Sequence, residues 1–98
     1  MAAILIVDDD QTILTLLQTL LLLEGYEVYA AAERDQIHHL LEGNPPDLVL
    51  IDVHLWAREG GNGSGYDILK IIRRKPGLEK TRIVMTSGID LHEQAIQA

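Results

Sequence analysis

The stretch that decides the fold is ILIVDDD at residues 4–10, in which four apolar residues run directly into three carboxylates. A continuous apolar run of this length is typical of a strand buried on both faces of a parallel sheet. Two further runs have the same form, because LVLI at residues 48–51 leads into Asp52 and IVM at residues 83–85 leads into Thr86. Ligands of an open parallel sheet bind at the carboxyl ends of its strands. The sequence therefore predicts a site built from carboxylates and a hydroxyl at that edge.

The segments between these strands have helical patterns. Apolar periodicity and end signals, such as Gly25 after the first helix, predict helices over 11–24, 33–42 and 66–75 and a last helix that begins within 90–98. Strands are predicted over 3–7, 28–31, 47–51 and 82–86. Strands that alternate with helices of about ten residues are typical of βαβ crossovers. The pattern thus predicts an α/β fold in which helices cover both faces of a parallel sheet.

Composition limits the classes of function. The chain has 98 residues, of which 47% are hydrophobic, and these values fit one globular domain. Its net charge of −7 argues against a nucleic-acid surface, and no apolar run reaches the roughly 18 residues needed to span a bilayer. The absence of Cys fits a reducing compartment. The sequence before the first strand also lacks the basic residues of a secretory leader. We expect a cytoplasmic domain that binds neither nucleic acid nor membrane.

The carboxylates Asp8, Asp9 and Asp52 follow two strands that we expect to be neighbours. Carboxylates placed close together repel one another unless a cation lies between them, and oxygen-only ligands suit Mg²⁺. The alternative interpretation is that residues 8–10 only cap the first helix. Capping takes one residue, for which Asp10 is the candidate, and it leaves Asp52 unexplained. The pattern favours a magnesium site.

As an ordered set, these residues resemble the receiver domains of bacterial two-component response regulators, and the resemblance runs from residue 4 to residue 98. The family has an acidic pair after its first strand, a phosphoacceptor Asp after its third, a Thr or Ser at the end of its fourth, and a Gly that opens its third helix. The matching residues here are Asp8 and Asp9, Asp52, Thr86 and Gly65. The resemblance implies a flavodoxin-like, doubly wound parallel sheet of order 2-1-3-4, with the fifth strand missing.

The same resemblance implies a role for each residue. Asp52 would accept a phosphoryl group from a sensor histidine kinase or a phosphotransfer protein and would contribute to the metal site. Asp9 would bind Mg²⁺ directly, Asp8 mainly through water, and His54 through its backbone carbonyl. Thr86 would sense the phosphoryl group through its hydroxyl and switch a partner interaction. Any activity of the domain itself would be limited to self-phosphorylation and self-dephosphorylation.

The sequence departs from the family in two places. The phosphate-binding Lys of the fifth strand would lie beyond Ala98, so we expect residues 1–98 to be a C-terminally incomplete receiver domain. The fourth strand would then be an open sheet edge that could pair with a second chain as a homodimer. The loop at 53–64 is Gly-rich and longer than in most receivers, and it contains Trp56. This side chain is interpreted as a partner contact, as a cover over the acidic pocket, or as simple packing.

Two other functions fit parts of the pattern. One is a pseudo-receiver, an interaction module that keeps the fold but does not use phosphate. The other is a haloacid-dehalogenase-type phosphohydrolase, because DDDQT at residues 8–12 matches the Asp-x-Asp-x-Thr motif of those enzymes. Asp8 would then be the nucleophile and Asp10 the general acid. That interpretation leaves Asp52 without a role, and helical periodicity begins directly after Asp10.

Overall fold

The computed structural model describes residues 2–43, 45–53, 55, 65–87 and 90–92, and strands and helices alternate along most of this chain. The strands are β1 (Ala3–Val7), β2 (Glu27–Ala31), β3 (Leu48–Asp52), β4 (Arg82–Ser87) and β5 (Asp90–His92). The helices are α1 (Gln11–Leu23), α2 (Arg34–Leu41) and α3 (Gly65–Arg74). Among the described helices, none has the length and apolar character that crossing a bilayer requires.

The strands form one sheet of order β2-β1-β3-β4-β5, in which the first four strands are parallel. Strand β1 lies between β2 and β3, and its Val7 pairs with Ala31 on one side and Ile51 on the other. The predicted flavodoxin-like order 2-1-3-4 is confirmed. This order places the carboxyl ends of β1 and β3 side by side. They lie at the switch point of the sheet, where the strand order reverses because β2 is on one side of β1 and β3 is on the other.

The segment at 90–98 was predicted to begin a helix, and for residues 90–92 that prediction is wrong. These residues form β5, which pairs antiparallel with β4 so that Leu91 lies opposite Thr86 and Asp90 opposite Ser87. A strand beside β4 satisfies backbone groups at a sheet edge. The predicted open edge of β4 is therefore covered at residues 85–87. Residues 93–98 lie outside the described part of the chain.

The core lies on both faces of the sheet because successive residues of a buried strand point to opposite sides. On one face, Ile37 and Leu41 of α2 and Ile68 and Ile72 of α3 pack against alternate strand residues: Leu5, Val7, Val49, Ile51 and Met85. On the other face, residues of α1 pack against Ile4, Ile6 and Leu50 through Leu14, Leu17 and Leu21. This packing fixes the ends of β1 and β3, which hold the candidate site.

Candidate functional site

Three carboxylates meet at the carboxyl ends of β1 and β3. One carboxylate oxygen from each of Asp8, Asp9 and Asp52 lies within 4.8 Å of the other two. The parallel pairing of the two strands produces this meeting, because Val7 and Ile51 are in register and the acidic residues follow each of them. The structure thus brings together the three acidic side chains that the sequence singled out. Their role as metal ligands stays a prediction.

The electrostatics of Asp8 reflect its position inside this cluster. Its side chain is buried, with 4% of its surface exposed. Burial, followed by the nearby carboxylates of Asp52, Asp9 and Asp10, raises the pKa of Asp8 to about 6. A hydrogen bond acts in the other direction, because the backbone N–H of Asp10 donates to Oδ1 of Asp8 at 2.9 Å. The ionised form of Asp8 is therefore disfavoured when no cation is present.

Asp10 serves the first helix, as the sequence predicted. Its Oδ1 accepts hydrogen bonds from the backbone N–H of Thr12 at 2.9 Å and of Ile13 at 3.3 Å. These bonds satisfy two of the amide groups that are left without partners at a helix N-terminus. This cap holds Asp10 at the start of α1, directly after the Asp9 backbone. A general-acid role for Asp10, which the phosphohydrolase interpretation needs, gains no support from this geometry.

Thr86 lies beside the phosphoacceptor candidate. It is buried near the end of β4 and is in parallel register with Asp52 of β3. Its Oγ1 donates to the backbone carbonyl of Ile51 at 3.4 Å, and its own carbonyl accepts from the N–H of Val53 at 2.8 Å. Thr86 is thus linked to the residues on both sides of Asp52.

Gly65 supports the site by allowing α3 to approach β3 closely. Its N–H donates to the carbonyl of Val53 at 3.3 Å. A Cβ at this position would collide with the carbonyl oxygen of Asp52 and would lie 2.9 Å from both Met85 Cε and Val53 Cα. The sequence identified Gly65 only through its match to the family. The close approach that requires glycine, and the bond from Asp10 to Asp8, gave no sequence signal.

Two residues of the predicted site region are not placed. His54, expected to offer its backbone carbonyl to the metal, lies outside the described residues, and so does Trp56 with the loop at 57–64. The described donors are carboxylate oxygens, which suit a hard cation that keeps part of its water shell. Burial is the main cause of the raised pKa of Asp8 and the neighbouring carboxylates add to it, and a bound cation would offset the repulsion among these carboxylates. The cluster therefore fits Mg²⁺.

Comparison with known proteins agrees with this geometry. Residues 4–98 match the family model of the response regulator receiver domain. A response regulator from Chloroflexus aurantiacus J-10-fl is 33% identical with a TM-score of 0.73, and the match covers 86% of this chain and 65% of that chain. The chemotaxis response regulator CheY4 of Vibrio cholerae is 27% identical with a TM-score of 0.76, over 87% of this chain and 67% of that chain.

A third similar structure is a response regulator protein from Burkholderia pseudomallei that contains a phosphorylated aspartic acid, a calcium ion and citrate. It is 25% identical with a TM-score of 0.73, and the match covers 90% of this chain and 48% of that chain. This chain therefore spans about two thirds or less of the length of these three proteins. With its four-stranded parallel order, its acidic cluster and a family match over nearly all of its residues, the chain belongs to the response regulator receiver domain family.

Proposed function

We propose that Asp52 accepts a phosphoryl group from the phosphohistidine of a sensor histidine kinase or a phosphotransfer protein in the presence of Mg²⁺, and that the modified domain switches a partner interaction. The observation that carries this proposal is the cluster of Asp8, Asp9 and Asp52, whose carboxylate oxygens lie within 4.8 Å of one another. A site for phosphoryl transfer needs a nucleophile beside a cation site, and in this proposal the cluster would supply both. The phosphorylated aspartic acid of the Burkholderia pseudomallei relative supports the assignment.

The chemistry follows from the positions of the residues. An oxygen of Asp52 would attack the phosphorus atom, the P–N bond would break, and the imidazole would leave with the bonding electron pair. The product on this chain would be an acyl phosphate of Asp52. Asp8 and Asp9 would hold the cation, with the backbone carbonyl of His54 as a further ligand. Mg²⁺, when bound, would neutralise charge that develops on the phosphoryl oxygens.

Thr86 would communicate the modification to the rest of the fold. Its hydroxyl now donates to the carbonyl of Ile51 over a long distance of 3.4 Å. A phosphoryl oxygen on Asp52 would be a charged acceptor, and hydrogen bonds to charged acceptors are the stronger ones. We expect the hydroxyl to turn toward the phosphoryl group. The carbonyl of Thr86 accepts a hydrogen bond from the N–H of Val53, the residue directly after β3. A movement of Thr86 would therefore shift β4 together with the end of β3.

The test of the phosphoacceptor uses intact-mass spectrometry after incubation with acetyl phosphate and Mg²⁺. We expect the wild type to gain the mass of one phosphoryl group and Asp52→Asn to gain none. Asp35→Asn, which removes an exposed carboxylate in the first turn of α2, is the matched control and should behave like the wild type. An adduct that persists in Asp52→Asn but is lost in Asp8→Asn would identify Asp8 as the nucleophile. A wild type without any adduct would contradict the proposal and favour a pseudo-receiver.

The switching role of Thr86 predicts a separate phenotype for Thr86→Val, which keeps the shape of the side chain and removes the hydroxyl. We expect this variant to form the adduct but to lose most of the chemical-shift changes that phosphorylation causes along β4. Thr81→Val is the control, since Thr81 is also buried but donates to the carbonyl of Pro46, before the amino end of β3. Two-dimensional ¹H–¹⁵N spectra of each variant with and without the adduct measure the effect. Equal shift changes in Thr86→Val and the wild type would contradict it.

A further inference from the structure

The positive charges of this chain are concentrated in one segment. Six of its eight Lys and Arg residues lie within residues 70–82, where Glu79 is the single acidic residue. This segment has a net charge of +5, whereas the remainder of the chain has −12, and the two give the total of −7. Charge asymmetry of this kind within one domain indicates contact with a charged partner.

The segment lies at the opposite end of the sheet from the acidic cluster. It consists of the last turns of α3, the connection at 75–81 and Arg82, the first residue of β4. Strand β4 runs from there toward Thr86, which is in register with Asp52. Attraction to the dipole of α3 explains only the cations in its last turn, and not those of the connection or of β4. We give the name basic corner to the exposed or half-buried cations around the connection: Arg74, Lys75, Lys80 and Arg82.

The backbone of the connection is held in place at two points. Nη1 of Arg73 donates to the carbonyls of Leu78 and Glu79, each at 3.2 Å, and so ties the connection to α3. Leu78 is 2% exposed and belongs to the core. Oγ1 of the buried Thr81 donates to the carbonyl of Pro46 at 3.1 Å. Because this backbone is held before any partner arrives, binding would cost little additional conformational entropy.

The carboxylates beside the basic corner take their hydrogen bonds from backbone N–H groups. Both carboxylate oxygens of Glu79 accept from the N–H of Gly77 at 3.1 Å, and Lys80 adds a weaker attraction to Glu79. Asp47, whose carbonyl accepts from the first N–H of β4, uses its Oδ2 to accept from the N–H of Ala3 at 2.7 Å. The positive charge of the basic corner is therefore not cancelled by these two neighbours.

We propose that the basic corner binds an acidic segment of a partner protein, in which several Asp or Glu residues lie close together. Charge complementarity defines the sign of the partner, and the backbone of the connection defines its chemistry. Phosphate groups are commonly bound by backbone N–H groups, but four of these in the connection are already used within this region: those of Lys75, Gly77, Leu78 and Thr81. The donors of the basic corner are Arg and Lys side chains, which form charge-assisted hydrogen bonds with the carboxylates of a peptide.

A nucleic acid or an anionic membrane fits this surface less well than a short acidic segment. Both extend beyond the basic corner, where they would meet the remainder of the chain with its net charge of −12. Domains that bind nucleic acid commonly have a pI above about 9, whereas this chain has a pI of about 4.8. A peptide segment of a few residues contacts the cations without extending over the acidic surface.

Exposed ion pairs determine the expected strength of this contact. Each of them contributes little, so we expect replacement of one cation to weaken binding by roughly two- to fivefold. Cations that do not contact one another contribute almost independently, which predicts a loss on the order of tenfold for a double variant. Binding should also weaken as salt rises, because the Debye length falls from about 30 Å at 0.01 M to about 8 Å at 0.15 M ionic strength.

Fluorescence anisotropy of a labelled hexaglutamate peptide, titrated with the whole chain at low and at physiological ionic strength, tests the proposal. We expect saturable binding to the wild type, roughly two- to fivefold weaker binding to Arg82→Gln, and about tenfold weaker binding to the double variant Arg74→Gln and Lys80→Gln. Arg34→Gln, which removes an exposed cation from α2, is the matched control and should bind like the wild type. Asp52→Asn should bind at least as well as the wild type, which separates this proposal from phosphoryl transfer.

Circular dichroism of each variant checks that the fold is retained, and hexaglutamine is the uncharged control peptide. A wild type that binds neither peptide, or binds both equally, would overturn the proposal. Equal weakening in Arg34→Gln and Arg82→Gln would overturn it as well, because the effect would then come from net charge alone. Tighter binding to an oligonucleotide of equal charge, or to vesicles that contain anionic lipid, would replace the acidic segment by that partner. Self-association that the double variant abolishes would assign the basic corner to a second copy instead.

Discussion

Replacing Asp8 with Asn is expected to stabilise the metal-free domain at neutral pH by on the order of 2 kcal/mol. Burial and the neighbouring carboxylates raise the pKa of Asp8 to about 6. The native state therefore holds an unfavourable charge at neutral pH, and Asn removes it. The side-chain oxygen of Asn can still accept the hydrogen bond that the Asp10 N–H donates to Asp8. The substitution removes a charge and keeps the local geometry.

The pH dependence of this effect has a defined sign. Asp8 titrates near 6 in the native state and near 3.8 when it is unperturbed, as in the unfolded chain. Between these values the native state binds more protons, so the free energy of unfolding of the wild type rises as the pH falls from about 6 toward 3.8. The destabilisation is complete above pH 6 and absent below 3.8. The advantage of Asp8→Asn should thus be largest above pH 6 and should vanish near pH 4.

Urea unfolding followed by circular dichroism, in the presence of a chelator and across this pH range, measures the difference. Asp35→Asn is the control, because Asp35 is exposed and lies outside the acidic cluster. If Asp8→Asn is less stable than the wild type at every pH, the cost of the buried charge has been overestimated. A constant difference across the range would exclude titration of Asp8 as its cause.

Magnesium should reverse the order of the two proteins. A ligand that binds only the native state raises the free energy of unfolding by about 2.7 kcal/mol at a hundredfold excess over its dissociation constant. The wild type should gain this stabilisation, and Asp8→Asn should gain less because a carboxylate of the cluster is gone. At sufficient Mg²⁺ the wild type then becomes the more stable protein. Equal gains for both proteins would remove Asp8 from the ligand set.

The sequence predicts the elements of this fold because each is determined by its own residues. Apolar runs mark β1, β3 and β4 to within about a residue, and Gly25 marks the end of α1. The sheet order came from the family resemblance, since local patterns do not specify which strands are neighbours. The prediction failed at residues 90–92, where a contact with the edge of β4 decides the conformation. A segment of three residues is too short for its hydrophobic period to show whether it continues as a helix or pairs with the preceding strand β4.

For the candidate site, too, some features could be predicted from the sequence and others could not. Asp8, Asp9, Asp52 and Thr86 were predicted to share one edge because the carboxyl ends of parallel strands lie together, and the structure places them there. The burial of Asp8 could not be predicted, since it depends on how closely the surrounding elements pack. The same holds for the close approach of Gly65 to Asp52, which depends on how tightly α3 packs against β3.

Gly65→Ala is expected to destabilise the domain by about 1–3 kcal/mol, the usual range for overpacking. The added Cβ would collide with the carbonyl oxygen of Asp52, and it would lie 2.9 Å from Val53 Cα and from Met85 Cε. The Met85 side chain can turn away, whereas the two backbone groups belong to the end of β3 and its continuation. The start of α3 must therefore move outward, or the end of β3 must shift. A shift at the end of β3 would displace Asp52 relative to Asp8 and Asp9, whereas an outward movement of α3 would loosen the hydrogen bond from the Gly65 N–H to the carbonyl of Val53, the residue after Asp52.

The matched control is Gly43→Ala, directly after α2. A Cβ there would have the carbonyl oxygen of Leu40 as its nearest neighbour at 3.8 Å, an ordinary van der Waals contact. We expect this variant to be as stable as the wild type, or slightly more stable because Ala restricts the unfolded chain. Thermal unfolding separates the two variants, and the gain in unfolding temperature with Mg²⁺ reports on the cluster. Gly65→Ala should lose part of that gain, since its effect reaches the carboxylates, whereas Gly43→Ala should keep it. A Gly65→Ala variant with wild-type stability and a full response to Mg²⁺ would show that α3 can retreat from β3 without moving Asp52.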